Sequence, residues 1–203
     1  MKQKILFGTA NQAKIDHVRA MTADWSVQIL SPDQLDIALD VTEDGATVEE
    51  NAIKKARAYA AVSQLPTFAI DAGLTIERFP PDQQPGVFVR RIHQQDHHVT
   101  DQTVLDYYRS ALQECGGSTP GQWQIAVALA TPRGQMQTES YTIETLFTAQ
   151  PSPVTTPGAP LNALMVDPAS GRYYSELHYT EQPGSHQLRD ALVTLFQQFW
   201  SNQ

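Results

Sequence analysis

The stretch that most constrains this chain runs from Thr47 to Gly73, where a helical pattern passes within a few residues into a short apolar run that ends on an acid. Val48, Ala52, Ala56 and Ala60 recur at the spacing of one helical face, which predicts a helix from Val48 to about Ser63 with a narrow packing stripe. Thr47 and Glu50 stand in the Thr-x-x-Glu arrangement that can satisfy the free amides of a helix start reciprocally. Leu65-Pro66 interrupts, and Thr67 to Ile70 reads as a buried strand that delivers Asp71 at its end, with Gly73 just beyond. Loops at the carboxyl ends of strands in an α/β fold gather residues from distant parts of the chain, so an acid there is a candidate site residue.

The rest of the chain continues the alternation. Lys4 to Gly8 is a short β-type run ending at Thr9-Ala-Asn11, and Ala13 to Met21 has helix-compatible composition. Val27 to Leu30 reads as a second strand and Asp44-Gly45 as a turn. A helix pattern recurs from Asp101 to Glu114, with Val104, Leu105, Tyr108 and Leu112 on one side. Gln124 to Thr131 and Met136 to Thr148 read as strands joined by the Pro132-Arg133-Gly134 turn, Met165-Val166 as a further short strand, and Gln187 to Trp200 as an amphipathic closing helix. There is no internal repeat.

At 203 residues the expectation is a single domain over 1–203, large enough to bury a substantial core. No apolar run approaches the roughly 20 residues needed to cross a bilayer, and Ile5 to Phe7 is too short for a signal peptide, so a soluble, cytoplasmic protein without a membrane partner is expected. The lone Cys115 excludes an intrachain disulfide and a cysteine cluster for zinc. A net charge of -8 argues against nucleic acid as partner, because broad phosphate neutralisation needs clustered Lys and Arg. A small phosphate ligand held by a local basic pocket and a metal ion remains compatible with it.

Three constellations could carry such chemistry. Thr9, Asn11 and Lys14 sit at a strand-to-helix turn, where exposed amides attract anions and a lysine one turn in reaches a phosphate; a capped helix with a solvated lysine is the plainer reading. On the 47–60 helix, Glu50 and Lys54 are four apart, as are Asn51 and Lys55, which suits either a surface ion pair or groups holding the metal and phosphate features of one ligand. Asp71 with Glu50 would suffice as the protein's share of a magnesium site, since magnesium takes one or two carboxylates together with water and substrate phosphates. Arg90 or Arg91, after Pro85-Gly86, could hold a phosphate oxygen. His93, His97 and His98 fall in a polar loop with no accompanying cysteine, so a zinc site is not expected there.

These constellations, in this order and at these separations, resemble the inosine triphosphate pyrophosphatase family, which hydrolyses deaminated purine nucleotides such as ITP, dITP and XTP. The family's Thr-x-Asn-x-x-Lys turn is matched by Thr9, Asn11 and Lys14, and its Thr-x-x-Glu-Asn-Ala and Lys-Ala-Arg helix by Thr47, Glu50, Asn51, Ala52, Lys55, Ala56 and Arg57. Its Asp-Ser-Gly-Leu and Pro-Gly-x-x-x-x-Arg segments are matched in part by Asp71, Gly73, Leu74, Pro85, Gly86 and Arg91. The resemblance implies an elongated mixed sheet with flanking helices and two lobes around a central cleft, a homodimer, and Mg2+ with Mn2+ as substitute. It implies that Glu50 and Asp71 serve as metal ligands and catalytic acids. Thr9, Asn11, Lys14, Asn51, Lys55 and Arg91 would bind a nucleoside triphosphate, and His186 would face the base.

The departures are specific. The family's adjacent acid pair is Ile70 and Asp71 here, its following Ser is Ala72, and the Ser before the matched Arg is Val89. The Gly-rich turn before Pro-Gly becomes Pro80-Pro81-Asp82-Gln83-Gln84. The Gly-Phe-Gly-Tyr-Asp-Pro segment that stacks on the purine falls at 158–163, without its aromatic and with Asn162 for the Asp; the terminal Ser-His-Arg appears as Ser185-His186-Gln187 with Arg189 displaced. The triphosphate end is thus better matched than the base end, which favours a divergent metal-dependent pyrophosphohydrolase with altered base preference. The alternative is a homologue that has lost catalysis and binds a nucleotide or a partner.

Overall fold

The computed structural model describes residues 2–90 and 99–201. In chain order its elements are β1 (Gln3–Phe7), α1 (Gln12–Met21), β2 (Val27–Leu30), α2 (Val48–Ser63), β3 (Thr67–Ile76), α3 (Asp101–Glu114), β4 (Ser118–Ala130), β5 (Met136–Thr148), β6 (Met165–Val166) and α4 (Ser185–Ser201). The strands are hydrogen-bonded in the order β2-β1-β3-β4-β5-β6. β1 runs parallel to β2 and to β3, with Ile5 opposite Ile29 and Phe7 opposite Phe68, whereas β5 and β6 pair antiparallel through Leu146 and Val166. This is the mixed α/β sheet with helices that the alternating pattern calls for.

The chain divides into two compact units, one of Met1–Ala72, Ile125–Tyr141 and Gly184–Gln203, the other of Gly73–Gln124 and Thr142–Pro183. In the first, Ile5, Phe7, Phe68 and Ile70 of the strands pack with Ile15 and Val18 of α1 and Leu188, Leu192, Leu195 and Phe196 of α4. Phe7 and Phe68 stack with centroids 4.5 Å apart and planes within 6°, and Phe196 meets Phe68 edge-on at 5.7 Å. Burying such rings dominates the energetics of a core this size. In the second unit, Leu74, Ile76 and Phe147 pack with Val104, Tyr108 and Leu112 of α3. Gly121 is required there, because a Cβ on it would lie 2.6 Å from Cε2 of Phe147.

Helix α2 has the expected bounds. Val48, Ala52, Ala56 and Ala60 are all but fully buried, so the small-residue stripe is its packing face. Thr47 caps it, Oγ1 accepting from the Glu50 amide at 3.2 Å, but the Glu50 carboxylate accepts from the Ala46 amide at 2.7 Å, so the reciprocal half of the arrangement is displaced by one residue. Thr47→Ala is expected to cost about 1 kcal/mol and to lower the melting temperature by about 2–4 °C, measured by thermal unfolding of both proteins at one pH.

The structure corrects the reading of three element ends. β3 does not stop at Ile70 but runs on to Ile76, because Leu74 and Ile76 alternate into the second core and keep the chain extended. Asp71 therefore sits within the strand and Gly73 is a strand residue, not a turn. β4 starts at Ser118 rather than Gln124, with Thr119, Gly121 and Trp123 on its inward side, and α4 starts at Ser185 rather than Gln187.

Candidate functional site

Strand alternation sets the first fact of the site. Ile70 and Asp71 point to opposite faces of β3, and Ile70 joins the apolar core with Leu188 and Leu192 while Asp71 faces α2. On α2, Asn51 and Lys55 lie one turn apart and both reach that acid. Lys55 Nζ donates to Asp71 Oδ1 at 2.6 Å and to the Ile70 carbonyl at 3.1 Å, and Asn51 Nδ2 donates to Asp71 Oδ2 at 3.3 Å. All three side chains are buried, Asn51 at 1%, Asp71 at 5% and Lys55 at 8% exposed. A charge pair at this depth has lost most of its hydration, so its geometry must be held by further hydrogen bonds, as it is here.

The loop before α2 adds a residue that the motifs did not single out. Glu43 Oε1 lies 3.2 Å from Lys55 Nζ, so the ammonium stands between two carboxylates. Burial pushes the Tyr59 hydroxyl up, and the Asp40 and Glu43 carboxylates push it further. The loop is pinned where it meets the helix: Asn51 Oδ1 accepts from the Gly45 amide at 2.8 Å and Glu50 Oε2 from the Ala46 amide. A Cβ on Gly45 would lie 2.6 Å from Asn51 Oδ1, so only glycine permits that hydrogen bond. Asn51 thus bridges the loop carrying Glu43 and the strand carrying Asp71. No local pattern in the sequence marks Glu43, which stands four residues before the N-cap Thr47 and reaches Lys55 only through the fold of the loop.

The other expected residues separate into groups. Glu50 is exposed, its amide donating to the Thr47 hydroxyl and its carboxylate accepting from the Ala46 amide at the turn before the helix. The i, i+4 partner expected for it, Lys54, pairs instead with Asp44 at 2.5 Å. At the end of β1, the Thr9 hydroxyl accepts from the Asn11 amide and Asn11 Oδ1 accepts from the Lys14 amide, both at 3.1 Å, so Asn11 is the N-cap of α1 and Lys14 lies in its first turn. His186 is exposed on the first turn of α4, next to buried Ser185, whose hydroxyl lies 3.2 Å from His17 Nε2.

Arg91, His93, His97 and His98 lie outside the described residues. Arg90 does not stand open as a phosphate ligand: it pairs with Asp101 at 2.7 Å and reaches the Val99 carbonyl, and Asp101 also accepts from the Gly158 amide at 2.6 Å. Burial works to raise the Asp101 carboxyl, but the Arg90 and Gly158 hydrogen bonds outweigh it and hold it below the usual carboxylate range. Asn162 falls in a 3-10 turn over Pro160–Ala163.

Chemically, the carboxylate oxygens of this cluster are donors of the kind a hard divalent cation takes. Among the described residues no three His, Cys, Asp or Glu gather into a protein-only cage. Two carboxylates, Asp71 and Glu43, flank one ammonium, which is the donor count of an ion that keeps waters and takes its other ligands from phosphates.

The sequence model of the Ham1 family matches residues 5–182. A dITP/XTP pyrophosphatase of Aquifex aeolicus (strain VF5) is 34% identical over 93 residues, 46% of this chain and 44% of that protein. One of Streptomyces coelicolor is 32% identical over 134 residues, covering 64% and 65%. The matched stretch thus spans about half the length of the curated relatives, 44% in the Aquifex protein. Among solved structures, a HAM1 protein from Coxiella burnetii superposes with a TM-score of 0.76 at 22% identity over 97% of this chain and 99% of that one. The Ham1 protein of Staphylococcus aureus does so with a TM-score of 0.68 at 19% identity over 98% and 99%. At these identities the structural likeness speaks for the fold.

Proposed function

This chain belongs to the Ham1 family, and we propose that it is a metal-dependent nucleoside triphosphate pyrophosphohydrolase acting on deaminated purine nucleotides, releasing pyrophosphate and a nucleoside monophosphate. The observation that carries the reading is the buried Asp71–Lys55–Asn51 cluster with Glu43 at its edge. The names of the relatives, dITP/XTP pyrophosphatases, support the substrate class.

In this reading Asp71 and Glu50 hold Mg2+, for which Mn2+ substitutes, and Glu43 adds a carboxylate at the edge of the cluster. Glu50, in the first turn of α2, also fixes the turn next to Glu43 by accepting from the Ala46 amide. When bound, the ion polarises phosphate oxygens and lowers the pKa of a coordinated water. Asn51 holds the Asp71 carboxylate in one rotamer, so that its oxygens are aimed before the substrate arrives. Lys55 and Lys14, staying protonated, donate hydrogen bonds to phosphate oxygens as charge builds on the leaving pyrophosphate. Asn11 and Thr9 order the α1 start, where the amides of the first turn receive anionic oxygens. Arg91 adds a phosphate contact and His186 faces the base. The homodimer and the cytoplasmic location belong to the same proposal; among the described residues no helix is long and apolar enough to cross a membrane.

One observation favours a second reading, a nucleotide-binding homologue without turnover: the position of the family's other acid is Ile70, and it packs into the core. A pyrophosphate-release screen separates the two, run with ITP, dITP, XTP and the common nucleotides in Mg2+ or Mn2+. Hydrolysis predicts release from at least one deaminated purine nucleotide, a loss of at least about 100-fold in Asp71→Asn, and a smaller loss of about 10–100-fold in Glu50→Gln. Release at background for every nucleotide supports the second reading, and activity untouched by Asp71→Asn overturns the site.

A further inference from the structure

The ammonium of Lys55 has three protons and three oxygen partners: Asp71 Oδ1 at 2.6 Å, the Ile70 carbonyl at 3.1 Å and Glu43 Oε1 at 3.2 Å. Two carboxylate oxygens and a backbone carbonyl are also what a hard divalent cation takes from a protein. Lys55 Nζ therefore sits at the point where the negative charge of this cluster converges. We propose that Lys55 is an internal counter-ion that holds the place of the divalent cation, so that the free protein binds the ion weakly and a triphosphate opens the site by drawing the ammonium away. The inference rests on the hydrolase reading for the identity of the triphosphate, and adds to it an order of events: the cation is captured together with the polyphosphate, not before it.

Charge and burial carry the argument. Two carboxylates and one ammonium leave the cluster one net negative charge, which is half of what a divalent ion needs for neutrality. A further acid on β3 would have changed this balance, but residue 70 is an isoleucine whose side chain belongs to the core. A cation entering beside the ammonium would meet a like charge at close range, in surroundings where Asp71 is 5% and Lys55 8% exposed and solvent screens poorly. A triphosphate removes the obstacle by offering the ammonium a denser set of anionic oxygens. The lysine's flexible stem allows its charge to move between the two sets of partners without moving the helix.

Nitrogen-15 resonances of the lysine ammonium groups in the wild-type protein test this directly. The Lys55 signal is expected to be protected from exchange in the free protein, to stay in place when Mg2+ alone is added at about 1 mM, and to shift when magnesium tripolyphosphate is added. A shift with Mg2+ alone, or none with magnesium tripolyphosphate, overturns the proposal. Electron paramagnetic resonance titrations with Mn2+ give the second measurement: wild type should bind more weakly than about 1 mM, and Lys55→Gln at least about tenfold more tightly. Adding Asp71→Asn to Lys55→Gln should remove that gain. Tight Mn2+ binding by the free wild type, or a folded Lys55→Gln that gains nothing, sinks the idea; should Lys55→Gln fail to fold, the wild-type measurements decide alone. Hydrolysis is scored separately by pyrophosphate release. A chain that turns over no nucleotide but shows the Lys55 shift keeps the counter-ion and loses the reaction, and a chain that hydrolyses but binds Mn2+ tightly when free does the reverse.

Discussion

Replacing Lys55 by methionine is expected to cost about 3–5 kcal/mol of folding stability, because it strands the Asp71 carboxylate in a buried site with Asn51 as its remaining named donor. Replacing Asp71 by leucine should cost a similar amount from the other side, leaving a buried ammonium with the Ile70 carbonyl and the edge carboxylate of Glu43. The double variant Lys55→Met/Asp71→Leu should recover much of either loss, since two well-packed apolar groups of similar volume often replace a buried ion pair at little net cost. Chemical denaturation of the four proteins gives the coupling energy. Pyrophosphate release should be absent from all three variants, the stable double variant included. That combination separates what the pair does for the fold from what it does for the site: a double variant no more stable than the singles would mean that the pair is not the unit described here.

The second large effect is expected at Phe68. Its ring is fully buried, stacked on Phe7 and met edge-on by Phe196, so one side chain joins β1, β3 and α4. Phe68→Ala should cost about 3–5 kcal/mol through lost burial and the cavity left behind, read as a fall in melting temperature of about 10 °C. A double-mutant cycle with Phe7→Ala should show a coupling of about 0.5–1.5 kcal/mol beyond the area lost. A cost under about 1 kcal/mol would show that the core closes over the gap, and would remove Phe68 from its central place.

Where local pattern and tertiary packing agreed, the sequence could be read directly. The small-residue stripe of α2 and the hydrophobic face of α3 show their periods within a single element, and the bounds of both helices follow from the pattern. The course of β3 past Asp71 did not, because what keeps residues 72–76 extended is a second core built from α3 and β5, far away in the chain. Gly73, just beyond the expected strand end, is therefore a strand residue. In the candidate site, Asn51, Lys55 and Asp71 were legible through the family motifs they match, and the structure brings the three side chains together. Glu43 was not, because a loop carboxylate declares nothing until the loop is seen folded back over the helix through Gly45 and Ala46. Of the two arginines offered as phosphate ligands, Arg90 has Asp101 as a neighbour, a pairing across 11 residues that no local pattern announces.

β3, β4 and β5 each begin in one compact unit and end in the other, and the first unit is assembled from three separate pieces of chain. Neither unit is a contiguous stretch of polypeptide. Exchange of one unit between relatives by a single recombination event is therefore ruled out by the path of the backbone, and no simple truncation isolates either.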